Sequence, residues 1–186
     1  MLAYVFWHWP QAAVDPDVYL DHLESFHRTL AAIRPEGFQR SVVFGIEDAD
    51  WLPERGPAYE EWYLLDDSAA LDPLNDAAVS GLCEIPHNRV ARDAAGGIGG
   101  LYRLRAGRED LENTRFAVWL AKPSGVTYRD FYEAFTTLAA PSDGALWGRQ
   151  MTLGPTTEFC LHSQLPIRLP ANYAGRQLAL RLLISC

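Results

Sequence analysis

The sequence predicts an α+β fold: two tandem ferredoxin-like units whose antiparallel sheets face each other to form an α/β barrel. Three observations lead there. The order β-α-β-β-α-β can be read twice along the 186 residues, and that order defines the unit. The chain also matches itself. At an offset of 112, Tyr4-Val5-Phe6-Trp7 falls on Phe116-Ala117-Val118-Trp119, and Tyr19 falls on Phe131. Finally, the strands are apolar on both faces, yet helices can cover only one. The other face must be buried, and a second sheet is the natural cover.

Each half opens with a short aromatic strand, Tyr4 to Trp9 and Phe116 to Ala121, stopped by Pro10 and Pro123. Asp15 and Thr127 can cap the helices that follow, because their side-chain oxygens accept from free first-turn amides. Tyr19, Leu23, Phe26, Leu30 and Ile33 make one amphipathic stripe; Tyr128, Phe131, Tyr132, Phe135, Leu138 and Ala139 make the other. Pro35-Glu36-Gly37 and Pro141 end the two helices. A hairpin follows in each half, Phe38–Ile46 with Tyr59–Asp66, and Trp147–Leu153 with Thr157–His162 through the Gly154-Pro155 turn. Residues 68–80 read as a helix. Leu101–Arg105 reads as a fourth strand, entered by a flexible turn at Gly96-Gly97-Ile98-Gly99-Gly100. That turn lacks the spacing of a phosphate-binding loop. Leu178–Ile184 reads as the last strand, although its Leu, Ala and Arg also suit a helix. The charged stretch Arg108 to Asn113 divides the chain into a first unit, 1–110, and a second, 111–186.

Composition narrows the function. Sixteen basic residues against 24 acidic give a formal charge of −8, which argues against nucleic acid and against an anionic membrane surface. Apolar runs are too short to span a bilayer. Met1-Leu2-Ala3-Tyr4 has no basic n-region, and Cys83, Cys160 and Cys186 are odd in number and widely spaced. A cytoplasmic location is the expectation, for a monomer or a homodimer. No cluster has the ligand spacing of a metal site, and His22 and His27 sit too far apart around a helix to chelate one ion.

The first helix, Tyr19-Leu20-Asp21-His22-Leu23-Glu24-Ser25-Phe26-His27-Arg28-Thr29-Leu30, followed by Pro35-Glu36-Gly37-Phe38, resembles the EthD-like branch of the dimeric α/β-barrel proteins. The opening Trp7-His8-Trp9-Pro10 fits as well. Leu23 stands where that branch has Trp, and Arg28-Thr29 where it has Ala-Pro. The second half has Ala134 and Ala139 in place of the two histidines. The resemblance implies an internally duplicated barrel that handles small molecules: a cofactor-independent monooxygenase, an isomerase, a cyclase, a decarboxylase or a haem-handling relative.

Alternation suggests which residues line the lumen. Trp62, Leu64, Phe159 and Leu161 form a uniformly apolar face and are assigned to the helix side. Glu61, Tyr63, Leu65, Glu158, Cys160 and His162 then point inward, with Ser41, Val43, Gly45, Gln150, Thr152 and Gly154 of the second strands. Val5, Trp7, Trp9, Ala117, Trp119 and Ala121 of the first strands join them. His162, Tyr63 and Glu158 are the candidate catalytic residues, because a histidine titrates near neutrality and a buried carboxyl or phenol can hold a proton. Trp7, Trp9, Trp119, Glu61 and His8 are the candidate ligand-binding residues, aromatic walls with a few polar groups. Arg40 and Arg149 are assigned to cross-strand ion pairs. The expected function is an enzyme acting on an aromatic or polyketide-like compound by proton transfer or cofactor-independent oxidation, with no cofactor. A non-catalytic ligand-binding barrel and a haem-binding relative are the alternatives.

Overall fold

A computed structural model describes residues 1–52, 57–139, 144–151 and 157–186. Nine strands form one antiparallel ladder: β1 (Leu2–Pro10), β2 (Phe38–Ile46), β3 (Ala58–Leu65), β4 (Ala94–Gly107), β5 (Phe116–Leu120), β6 (Ala145–Met151), β7 (Phe159–Ser163), β8 (Gly175–Ala179) and β9 (Arg181–Ser185). Four helices accompany them: α1 (Pro16–Ile33), α2 (Leu71–Val79), α3 (Glu84–Asp93) and α4 (Tyr128–Ala139). The strand order is β8-β5-β7-β6-β4-β1-β3-β2-β9. Each half therefore places its strands in the order 4-1-3-2. The two sheets are not separate layers: β4 pairs with β6, and β2 pairs with β9. β8 and β9 lie at opposite ends of the ladder, yet only Leu180 separates them, so the chain itself closes the barrel.

Local chemistry accounts for the helix ends. An Asp15 carboxylate oxygen accepts from the amides of Asp17 and Val18 at 2.9 and 3.3 Å, and Thr127 Oγ1 accepts from Asp130 N–H at 3.1 Å. Arg34 closes α1 in the left-handed region, its amide bonded to Leu30 O. The last strand region is extended throughout, because β8 pairs with β5 and β9 with β2.

One expectation about backbone is corrected, and one helix lies where the sequence carried no assignment. The glycine run 96–100 is the beginning of β4, not a turn. It pairs with β1, whose aromatic rings fold over it. A Cβ on Gly96 would stand 2.7 Å from the Trp9 ring, and one on Gly97 would stand 2.2 Å from the Phe6 ring. Glycine is what lets these rings lie against the neighbouring strand. The segment Glu84–Asp93, with Pro86 and little apolar periodicity, is a helix. Tertiary contact holds it: His22 of α1 bonds Asp93 at 2.9 Å, and Val90 packs against the core. The Gly154-Pro155 turn, Thr152 and Pro141 lie outside the described residues.

The faces of β2 and β3 are also corrected. Trp62 and Leu64 point into the barrel with Val42, Phe44 and Ile46. Glu61, Tyr63 and Leu65 point outward, to the helices, with Ser41 and Val43. Gln150 of β6 is exposed and bonds Arg103 at 2.6 Å, outside the lumen. Alternation groups residues by face but does not say which face is inner when both are apolar. The barrel took the bulky rings: all six tryptophans, Trp7, Trp9, Trp51, Trp62, Trp119 and Trp147, pack in its core. Ala121 lies exposed beyond the end of β5, and Glu158 lies before β7, outside the lumen, whereas the remaining expected faces of β1, β5 and β7 hold. Val5, Trp7, Trp9, Ala117, Trp119 and Cys160 are interior, whereas Phe159 and Leu161 meet α4. Arg40 pairs with Glu109 and Glu112 in the segment between the halves, rather than across strands.

Candidate functional site

On the outer face of the first half, β1 presents Tyr4, Phe6 and His8, and β3 presents Tyr59, Glu61 and Tyr63. Their rings stand in a stacked row. Tyr63 and Tyr4 are 5.8 Å apart, Tyr4 and Phe6 6.2 Å, Phe6 and His8 5.5 Å, and His8 and Tyr59 5.3 Å. Helix α1 crosses above this row. Its buried stripe brings Tyr19 and His27 onto the sheet.

Glu61 is the centre of a buried polar cluster. It is 3% exposed. One carboxylate oxygen faces His8 Nε2 at 2.9 Å and His27 Nε2 at 3.3 Å. The other accepts from the Tyr63 hydroxyl. His8 Nδ1 lies 2.6 Å from Tyr19 Oη, and His27 Nδ1 lies 2.7 Å from Ser41 Oγ. Four elements supply these six side chains, so each polar atom is satisfied only in the assembled fold.

Electrostatics follow from this packing. Burial by itself would raise the Glu61 pKa. The His8 charge, the His27 hydrogen bond and charge, and the His8 hydrogen bond together outweigh it and hold the carboxyl well below the usual range. Burial, and then the Glu61 charge, push the phenols of Tyr19 and Tyr63 far up, so both stay neutral. With Glu61 ionised, the simplest satisfied pattern has both Nε2–H groups donating to it. Tyr19 and Ser41 then donate to the two Nδ1 atoms.

A cavity of about 690 Å³ opens over the cluster. The sheet contributes Tyr4, Phe6, His8, Glu61 and Tyr63 to its wall. Helix α1 adds Tyr19 and Phe26, and α2 and α3 roof it with Leu74, Val79, His87 and Val90. The equivalent space under α4 is filled by Phe131, Phe135, Phe159 and Leu161.

Of the residues singled out in the sequence, His8, Glu61 and Tyr63 come together, on the helix side of the sheet rather than in the lumen. His162 does point into the barrel, where its ring lies 4.5 Å from Trp62. It is buried, neither ring nitrogen has a hydrogen-bond partner among the described residues, and burial lowers its pKa to about 3. Glu158 precedes β7 and accepts from the Tyr128 hydroxyl of α4 at 2.7 Å, away from both. Trp7, Trp9 and Trp119 are barrel core. The Trp7 indole donates to Glu60 at 2.8 Å, as does that of Trp62. Burial raises the Glu60 pKa to about 7 against these indole bonds.

Sequence reasoning names none of Tyr19, His27 and Ser41 as a site residue: it reads Tyr19 as part of the apolar stripe of α1, His27 as a helix histidine that cannot chelate with His22, and Ser41 as lining the lumen. One signal was present: His27 stands beside the stripe, at the register of the buried positions. Among the described residues, no group of three or more His, Cys, Asp or Glu side chains could hold a metal ion.

No protein-family model and no curated protein matches the chain. Two of the solved structures similar to it show its fold. One is a "putative monooxygenase" of Fusobacterium nucleatum subsp. nucleatum ATCC 25586, at 9% identity and a TM-score of 0.64, covering 99% of this chain and 93% of that one. The other is a "putative monooxygenase" of Lactobacillus acidophilus NCFM, at 12% identity and a TM-score of 0.63, covering 99% and 95%. At these identities the likeness establishes the antiparallel α+β barrel and nothing about chemistry.

Proposed function

We propose that the chain is a small-molecule enzyme that moves a proton on an aromatic compound bound in the cavity between the outer sheet face and α1–α3. The observation that carries this reading is the line Tyr19–His8–Glu61 beneath that cavity. A bound acid gives its proton to Tyr19 Oη while the Tyr19 proton passes to His8 Nδ1, across 2.6 Å. The ionised Glu61, 2.9 Å from His8 Nε2, stabilises the imidazolium that forms. Tyr63 holds the second carboxylate oxygen, and His27 with Ser41 keeps the first in place. The stacked rings and the aliphatic roof supply an apolar site with few polar groups, which suits a planar ligand.

Cofactor-independent oxidation extends the same chemistry, because the deprotonated, electron-rich substrate is the species that reacts with oxygen. The names borne by the two fold neighbours favour this second reading. The matched 4-1-3-2 strand order of the halves supports an internal duplication of EthD-like type, divided near residue 110. The three free cysteines suit a cytoplasmic location, and no described helix is long and apolar enough to cross a membrane.

The test is solvent exchange. In D2O the protein should exchange the α-protons of 2-tetralone, a bicyclic carbon acid, and His8→Gln should abolish the exchange while preserving binding. Bound 2-tetralone that exchanges no faster than in buffer would sink the proton-transfer reading.

A further inference from the structure

We infer that the cavity selects its ligand by charge: it takes an uncharged molecule that offers an O–H or N–H group to the floor, and it rejects anions. The inference rests on the reading of this cavity as the ligand site and adds the class of ligand to it.

The first observation is the charge of the wall. Among the described residues neither lysine nor arginine lines the cavity, whereas Glu61 lies in its floor and Asp72 at its α2 side. Glu61 is ionised within the cluster. The phenols of Tyr4, Tyr19 and Tyr63 are pushed up by burial first and by the Glu61 charge second, so they stay neutral and offset none of the negative charge. An anion entering here would lose its water and meet two carboxylates, and outside the Glu61 cluster only the His87 imidazole of the roof, among the described residues, could answer with positive charge. Desolvation and Coulomb repulsion then act in the same direction.

The second support is the hydrogen-bond pattern. The Tyr63 hydroxyl donates to Glu61. In the arrangement that satisfies the cluster with Glu61 ionised, His8 and His27 also donate to Glu61, Tyr19 to His8 and Ser41 to His27, so each donor is turned inward. Over the Tyr19 and Tyr63 phenols a ligand then finds oxygen lone pairs. A hydroxyl or N–H finds a partner there, whereas a carboxylate must turn to the Tyr4 hydroxyl, Asn75 or His87 on the walls. Once His8 takes a proton, both ring nitrogens donate, and Tyr19 can turn its own O–H toward the ligand. A donor floor thus exists only after the proton has moved, which matches a neutral acid entering and its conjugate base being held.

The experiment compares 2-naphthol with 2-naphthoate at pH 7, by calorimetric titration of the wild-type protein and of Asp72→Lys. The wild type should bind 2-naphthol at least tenfold more tightly, and Asp72→Lys should narrow the gap severalfold by strengthening 2-naphthoate. Equal or tighter binding of 2-naphthoate by the wild type overturns charge selection, and the exchange of 2-tetralone then decides separately whether the site moves protons. Binding of neither probe overturns both readings. A gap that Asp72→Lys leaves unchanged removes Asp72 and with it the charge argument.

Discussion

Glu60 and Glu61 are neighbours in β3, and their pKa values are pushed in opposite directions on opposite faces of one sheet. Glu60 points into the barrel, gripped by the indoles of Trp7 and Trp62, and burial raises its pKa to about 7. Glu61 points to the helices, where His8 and His27 keep it ionised against the cost of burial. One strand thus carries a carboxyl poised to be neutral and a carboxylate fixed as an anion.

Glu60 makes stability fall with rising pH. The folded state holds this proton more tightly than the unfolded chain, whose carboxyl titrates near 4.5. Between about pH 4.5 and 7 each pH unit removes up to ~1.4 kcal/mol. Glu60→Gln should abolish this component. Urea denaturation at pH 5 and pH 8 should show a loss in the wild type that is smaller by about 2–3 kcal/mol in the variant. An identical loss in both proteins would refute the assignment.

His162 acts in the other direction and over a lower range. Its folded pKa of about 3 lies below the ordinary value of 6.5. The unfolded state therefore binds the extra proton first, and stability is lost as pH falls through that interval. His162→Leu should flatten the acid limb. Because neither ring nitrogen has a hydrogen-bond partner among the described residues, the change should be neutral or stabilising at pH 7. It should also leave 2-tetralone exchange intact. Loss of exchange in a folded His162→Leu protein would return the lumen to consideration as the site.

Glu61→Gln should be costly on both counts. It breaks a buried charged cluster, for which ~3–5 kcal/mol is typical, and it removes the charge that stabilises His8 imidazolium. Chemical denaturation and solvent exchange measured together check this. A variant with near-normal exchange would show that Glu61 is a structural ion only.

Ser41→Ala tests positioning at a distance from the ligand. It strips the hydroxyl from His27 Nδ1, 2.7 Å away, and frees that ring to turn from Glu61. The Glu61 carboxyl, followed by carbon NMR, should titrate higher than in the wild type, and Ser41→Thr should restore it. An unmoved titration would reduce Ser41 to a packing residue.

Gly97→Ala probes the wall. The added Cβ would stand 2.2 Å from the Phe6 ring, so Phe6 must tilt toward the cavity. A loss of about 1–3 kcal/mol in stability is expected, with weaker 2-naphthol binding. Unchanged binding would separate Phe6 from the ligand.

The sequence by itself determined the β-α-β-β opening of each half, the caps at Asp15 and Thr127, and the closing of the antiparallel strands into a barrel. These depend on local periodicity, on proline and glycine, and on there being two apolar sheet faces to bury. The second helix expected in the second half is not seen among the described residues, and the last strand is split into β8 and β9. His8, Glu61 and Tyr63 were legible as polar groups standing in apolar strands. Only the tertiary structure decided which way β2 and β3 face. Alternation is symmetric under exchange of two apolar faces, and the choice came from the fit of six tryptophans into one lumen. Tertiary packing also made α3 a helix and drew the glycine run into β4 beneath the rings of Phe6 and Trp9. The site itself belongs to this level. Its residues come from β1, α1, β2 and β3, and Glu61 is held ionised only where His8 and His27 converge on one oxygen, a meeting that no spacing along the chain encodes.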